Sequence, residues 1–549
     1  MEIVTLILWL LLLLVITGLL SKYLPDIFPL PLLQIVVGII SYYYHDSPKI
    51  ILNPEVFMAL LIPPILFIDS WKLPNREFFQ LKFPILGLAF GLTVVNIIVG
   101  GYLIHTWLIN IPIAVSFALA AILSPTDVVA VLAITKRLPL PSTTQHLLAG
   151  EALINDASSL IALKFAVTAA FTGHFCWYQA VEQFLLVALG GVILGCGLAY
   201  SFNWLHLALL KQKVYIDGRL TLLLFLLQPF ISFHLAEHYG LSGVLSVVST
   251  GMLLSQLKNS QIYSATIRLQ ARSFWSFLEF TLNGIIFLLL GIQLPLIIQQ
   301  IVSSSSISTT DSVLYPIKAI AGITVMLLLL RLAWLILSSL LVRWLSPATK
   351  ATQQMNWPQI IITSFSGIRG ALTLSAALSL PLLLSDGVPF PVREQLIIIA
   401  LGVILLTLLL GTLIIPGCVP LYSSTANSAE QLEKQQARQT ILDALLHQIE
   451  LEQRQYIHQF AQHHPQTVAN FTAACEGLKL IYSQATFSDN WLVKKQVLNR
   501  QLYRLQRRAL QAAYQALYQL HRQNKINDTT LQHLESELDL QTATLERQT

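Results

Sequence analysis

Up to about residue 421 the chain alternates long apolar runs with short polar joints, and beyond that point the pattern changes. The apolar runs are about 18 to 28 residues long, enough to cross a bilayer as helices. Thirteen spans are predicted, near 3–21, 27–44, 54–70, 83–105, 112–134, 145–172, 180–206, 219–237, 240–256, 274–297, 316–343, 358–382 and 394–421. Residues 422–549 are polar, Gln- and charge-rich, and helical in period. The pattern therefore predicts an all-α integral membrane protein: a transmembrane domain over 1–421 and a helical cytoplasmic tail over 422–549, its role regulatory or structural. The first run starts at Met1-Glu2 without a basic leader or a small-residue cleavage site, and reads as a first membrane helix rather than a signal peptide.

Composition agrees. The chain is 55% hydrophobic and 11% charged, where soluble proteins carry about 25% charged residues. A soluble enzyme is excluded, no nucleotide-binding loop appears, and nothing points to nucleic acid or to a cofactor. Cys176, Cys196, Cys418 and Cys475 are scattered, which argues against a disulfide framework or a zinc site. Basic residues orient the spans. One set of joints carries Lys22, Lys72, Arg76, Lys82, Lys136, Arg137, Lys211, Lys213, Arg219, Lys258, Arg268, Arg272, Arg343 and Lys350; the other carries Lys49, Lys318 and Arg393. The first set is expected to face the cytoplasm, placing a multi-pass protein in the inner (plasma) membrane with its N-terminus outside and its C-terminus inside. In the tail, Lys494 to Lys525 holds Arg500, Arg504, Arg507, Arg508 and Arg522 with no acid between them, interleaved with Leu498, Leu502, Tyr503, Leu505, Tyr514 and Leu517. This reads either as an amphipathic helix on the anionic inner leaflet or a regulatory module, or as an ordinary helical bundle or dimer contact.

Charges inside a bilayer cost roughly 2.5–3.5 kcal/mol each on insertion scales, so they mark function by default. They concentrate in three spans. The fifth contains Ser124-Pro125-Thr126-Asp127; Pro125 removes a backbone donor and predicts a break whose freed carbonyls and hydroxyls can hold a cation. Asp127 could balance the N-terminus of a half-helix there. The sixth contains Gly150-Glu151-Ala152-Leu153-Ile154-Asn155-Asp156. Glu151 and Asn155 share a helix face, while Asp156 points about 100° away and lies about 16 Å into the span. A lone carboxylate at that depth is neutral when protonated and can hold a cation when it is not; Ser159, one turn on, could add an oxygen. The twelfth contains Gly367-Ile368-Arg369-Gly370-Ala371. Arg369, and Arg331 in the eleventh span, need an anion or helix C-terminal carbonyls, with Glu151 and Asp127 as candidate partners. Interrupted helices at Asp127 and at Arg369 suggest inverted repeats. Lys164 is expected to snorkel or pair with an acid. His105, His146, His174, His234 and His238 read as interfacial residues.

These three motifs, in this order and spacing, resemble the signatures of sodium/proton exchangers of the monovalent cation:proton antiporter-1 family, the bacterial NhaP-type branch. The resemblance covers about residues 1 to 421. It implies a homodimer whose six-helix cores, with two crossed broken helices, move against a dimerisation panel. It implies that Asp156 binds cation and proton alternately, that Thr126 gives the ion an oxygen, that Asp127 supports the site, and that Glu151 and Asn155 contact a core arginine. An Asn-Asp pair implies one-for-one, electroneutral exchange. Many members carry a polar residue where this chain has Ala152, so coordination must come from elsewhere, such as Ser159 or water.

The expected activity is exchange of a small monovalent cation, sodium before lithium or potassium, for protons, serving sodium and pH homeostasis. Two rivals remain at this stage. A sodium-coupled transporter of a small organic anion needs spare basic residues in the core. A channel-like or sensory protein would work through its tail.

Overall fold

The computed structural model describes residues 2–24, 28–43, 58–108, 111–135, 140–172, 177–211, 218–257, 265–304, 311–345, 357–381, 390–419, 426–460, 465–484 and 500–546. The expectations resting on Lys49, Lys136, Arg137, His174, Cys176, Lys213, Lys258, Lys350, Lys494, Leu498 and the start of the third span (54–57) lie outside the described residues.

Among the described residues every regular element is helical. Within the first expected spans lie α1 (Glu2–Leu20), α2 (Leu30–Tyr42) and α3 (Ile62–Lys72). Both α2 and α3 open on proline in the first turn, where a missing N–H costs nothing. The fourth span is α4 (Lys82–Trp107), in which the backbone widens to π geometry over Gly87–Leu92 and Asn96–Gly100. The fifth is interrupted as Pro125 predicts, into α5 (Ile113–Ile122) and α6 (Val128–Ile134), with 124–127 extended between them. Then come α7 (Ser142–Thr172), α8 (Trp177–Lys211), α9 (Gly218–His238), α10 (Gly243–Leu257), α11 (Ala265–Ser304) and α12 (Asp311–Leu345). The twelfth span is also interrupted, into α13 (Trp357–Phe365) and α14 (Ala371–Leu378), and α15 (Arg393–Cys418) follows.

Seven described helices are long and apolar enough to cross a membrane, and four shorter ones are apolar. The third and twelfth expected spans hold helices of neither kind. One begins outside the described residues, and the other is cut into halves of 9 and 8 residues.

The chain divides into two compact units, Met1–Lys258 with Trp275–Ser424, and Asn259–Phe274 with Thr425–Thr549. In the first unit, α10 packs against α3, α8 and α9 to form a panel. Residues of α11 join it: Trp275 lies against Phe67 (ring centroids 5.4 Å apart) and Glu279 pairs with Lys72. Helices α2 and α11 touch backbone to backbone, since a Cβ on Gly38 would sit 2.5 Å from the Leu288 carbonyl oxygen. The other group comprises α4 to α7 and α12 to α15. Helix α7 lies within that group and also meets α3, α8 and α10, while α6 meets α2. These contacts form the seam along which one group faces the other.

The second unit is a helical bundle of α16 (Ala426–Phe460), α17 (Pro465–Gln484), α18 (Arg500–Arg522) and α19 (Asp528–Glu546). Its core includes Ile441, Ile449, Cys475, Leu505, Ala509, Leu517 and Leu534. The apolar face of α18 is thus buried within its own bundle, and the reading of this stretch as a leaflet-bound amphipathic helix gives way to the bundle reading. Arg508 of α18 pairs with Glu452.

Candidate functional site: a buried carboxylate beside two crossed helix breaks

Helix α7 carries Asp156 about 21 Å from its start at Ser142, at 1.5 Å per residue. Every residue from Glu151 to Leu160 is buried, Asp156 being 7% exposed. The Oδ1 atom of Asp156, the Ser159 hydroxyl and the Asn155 side-chain oxygen are buried without a hydrogen-bond partner. Such atoms are rare in folded proteins because each loses its hydration uncompensated. All three lie within two turns of one helix, and oxygens left without a partner are the kind a hard cation takes as ligands.

The two interrupted helices meet next to this set. The Asp127 backbone N–H donates to the Ile368 carbonyl (2.7 Å), joining the extended segments directly. Asp127 caps α6 through Oδ1, which accepts from the Ala130 N–H at 3.2 Å. Its other oxygen packs against Gly370, the residue that opens α14, so one carboxylate serves the positive ends of two half-helices. Arg369 does the converse. Its Nε donates to the Leu123 carbonyl (2.9 Å) at the end of α5, and Nη1 donates to the Gly367 carbonyl just past α13. Its backbone N–H donates to the Thr407 hydroxyl (3.2 Å). Thr126, in the first break, accepts from the Asn155 amide nitrogen at 2.8 Å, which ties α7 to the crossing.

Arg331 takes the other acid. It forms a two-pronged pair with Glu151, Nη2 to Oε2 at 2.6 Å and Nη1 to Oε1, and its Nε donates to the Thr363 carbonyl (2.9 Å). These side chains are 2% and 1% exposed. Of Glu151 and Asn155, Glu151 alone is hydrogen-bonded to a core arginine, because the Asn155 amide is spent on Thr126. Asp127 is partner to neither arginine and faces helix ends instead. Ser158 donates to the Ala89 carbonyl (3.2 Å) in the first widened turn of α4, which ties α7 to that helix.

Asp69 on α3 was not anticipated. It is half-buried, and its carboxylate is among the charges that act on Asp156, together with Asp127 and Glu151. The signal available was an acid inside the apolar stretch Ile62–Lys72, hidden by its nearness to the Lys72–Arg76 joint. Lys164 pairs with Glu237 of α9 (3.0 Å), whose other oxygen accepts from the Gly243 N–H. Asp156, Leu160 and Lys164 recur at intervals of four along α7, and the last two line a cavity of about 320 Å³ with Phe233, Glu237 and Ser379. Among the described residues, no group of three or more His, Cys, Asp or Glu could hold a tightly bound metal.

Residues 10–419 match the family model described as sodium/hydrogen exchanger, transmembrane. The chain belongs to this family of multi-pass membrane transporters. It is 38% identical over 419 residues to the sodium, potassium, lithium and rubidium/proton antiporter of Bacillus subtilis, a match covering 76% of this chain and 61% of that protein. It is 37% identical to the Na⁺/H⁺ exchanger YjcE of Escherichia coli, with 76% of each chain covered. The chain therefore spans less than two thirds of the Bacillus protein's length. Among solved structures, the sodium proton antiporter MjNhaP1 of Methanocaldococcus jannaschii superposes with a TM-score of 0.54, covering 76% of this chain and 99% of that one. At 17% identity that likeness shows the fold.

Proposed function

We propose that the chain exchanges a monovalent cation, sodium first among them, for protons across the inner membrane, with Asp156 as the shared carrier. The observation that carries this reading is the unpartnered Asp156 carboxylate oxygen, buried beside the equally unpartnered Ser159 hydroxyl. A cation takes its ligands from Asp156, Ser159 and the Thr126 hydroxyl; a proton takes Asp156 alone. Both cannot occupy the carboxylate together. The group holding α4 to α7 and α12 to α15 moves along the seam only when Asp156 is loaded, because carrying a bare carboxylate past apolar side chains is too costly. Inward proton movement then drives cation export. Electroneutral one-for-one exchange, a homodimer built on the other panel, an outside N-terminus and a cytoplasmic tail belong to the same reading.

The site disfavours the organic-anion rival. A basic side chain that could recognise a carboxylate substrate is not on offer from the two core arginines, which are committed, Arg331 to Glu151 and Arg369 to backbone carbonyls.

Everted vesicles test the proposal. Asp156→Ala should abolish sodium-dependent fluorescence dequenching of a pH dye while the protein remains in the membrane at wild-type abundance. Dequenching at the wild-type rate in that variant would falsify it. In proteoliposomes, an imposed membrane potential should leave the exchange rate unchanged.

A further inference from the structure

Lys164 stands two turns beyond Asp156 on the same face of α7, about 12 Å along the helix. Its ammonium donates to both oxygens of Glu237 on α9, at 3.0 and 3.4 Å. The carboxylate is seated by the panel itself. Gly240, at φ +70°, turns the chain between α9 and α10. Glu237 Oε1 then accepts from the N–H of Gly243 (3.2 Å), the first residue of α10. Close approach requires a glycine there, since a Cβ would sit 2.7 Å from the Phe233 ring and 3.0 Å from the Glu237 side chain. The positive end of α10 thus holds the acid in place, whereas Lys164 reaches it on a flexible four-carbon stem.

The pair borders the cavity of about 320 Å³, whose walls come from both groups of helices. Leu160 and Leu163 on α7, and Ser379 at the end of α14, belong to the group that carries Asp156; Val187 on α8 and Phe233 on α9 belong to the panel. The cavity therefore lies in the seam, and the ion pair crosses it. Its walls are mostly apolar, and Lys164 and Glu237 are the charged residues among them. While the two are paired, their charges cancel. A cation entering such a cavity gives up hydration and meets no compensating charge. Once Lys164 withdraws, the same cavity presents one carboxylate. The two side chains are 64% and 37% exposed, and a pair so open to water biases an equilibrium by a factor of about five at most. It can part and re-form in every cycle.

We propose that Lys164 is a tethered cation. Its ammonium holds Glu237 in the place of an incoming monovalent cation, and its withdrawal opens the seam cavity as the outer approach to Asp156. The orientation proposed above puts the C-terminal end of α7 outside. The proposal rests on the exchange reading and deepens it, giving a part in cation entry to two residues beyond the carrier carboxylate. Half of its test is read without any transport measurement.

The test uses the full-length protein in proteoliposomes. Leu160→Cys places a thiol in the cavity wall between Lys164 and Asp156. Its modification by a membrane-impermeant cationic thiosulfonate is compared with that by an anionic one, against the chain without this substitution as background. Lys164→Gln should raise the ratio of cationic to anionic rates about threefold or more, because Glu237 loses its ammonium, and Glu237→Gln should lower the ratio by about as much. With sodium presented to the outer face, the half-saturating concentration should fall about threefold in Lys164→Gln and rise about threefold in Glu237→Gln, with inner-face half-saturation unmoved. The reversed pair, Lys164→Glu with Glu237→Lys, should bring both readouts back toward wild type. Where Leu160→Cys accumulates poorly, Val167→Cys marks the same wall. A rate ratio unmoved in both single variants overturns the tethered cation, and a thiol that neither reagent reaches at either position overturns the cavity as an approach. A shifted ratio with wild-type outer half-saturation overturns the part in cation entry. Failure of Asp156→Ala to stop exchange concerns the carrier alone and leaves the labelling result standing.

Discussion

Glu151 and Arg331 are buried together at the heart of the transmembrane unit, 180 positions apart in sequence. Removing one partner strands the other charge, so Arg331→Met should cost about 3–5 kcal/mol, while Arg331→Met combined with Glu151→Leu should cost far less. Thermal unfolding in detergent, followed by loss of the monodisperse peak, checks the difference. The acids and amides of the site were readable in sequence because each breaks an apolar run: Asp127, Glu151, Asn155 and Asp156 all stand out against hydrocarbon. Their pairings were not, since nothing local tells whether Glu151 meets Arg331 or Arg369. Asp69 was passed over for a related reason. An acid one residue from the end of its expected span looks like part of the joint until α3 is seen to place it among the site's charges.

At the scale of the helix, the breaks were the most legible feature. Pro125 with two polar neighbours predicts one interruption, and a pair of glycines about Arg369 predicts the other. That the two extended segments hydrogen-bond to each other, Asp127 to Ile368, was beyond the reach of periodicity, which says nothing about which breaks face one another. Gly370 is required there by close approach. A Cβ on it would overlap the Asp127 carboxylate. Gly370→Ala should displace Asp127 and lower exchange about tenfold or more at normal protein abundance, since small misplacements at a positioned site are costly. The rate in everted vesicles, normalised to protein by immunoblot, checks this. Helix α18 teaches the opposite lesson: its basic and apolar stripes were correctly located, but a stripe does not name its partner, and the bundle core claims Leu505, Ala509 and Leu517.

At the scale of the whole molecule, thirteen expected spans each contain an observed helix or helix pair, because hydrocarbon thickness leaves a chain few alternatives. The joints were harder. Arg268 and Arg272 count in sequence as loop cations that orient the spans, yet in the structure they are consumed by Asp539 and Glu535 more than 260 residues later. If cation and proton compete for one carboxylate, exchange must respond to both concentrations at once. Each tenfold rise in sodium should move the acid limb of the pH–rate curve down by about one pH unit, until another step limits the rate. Rates measured across pH at several sodium concentrations check this; an acid limb that stays fixed would mean separate sites.

The balance of charges around the crossing carries one more consequence. Glu151 is cancelled by Arg331, Asp127 rests on two helix amino ends, and Arg369 rests on backbone carbonyls at the two opposite ends. Asp156 keeps an oxygen without a partner, and Asp69 on α3 is the further acid that acts on it. On the proposed reading, a sodium ion or a proton arriving at Asp156 meets a charge that its neighbours have left open, while the ion pair and the helix ends around it keep their partners whether that carboxylate is loaded or empty.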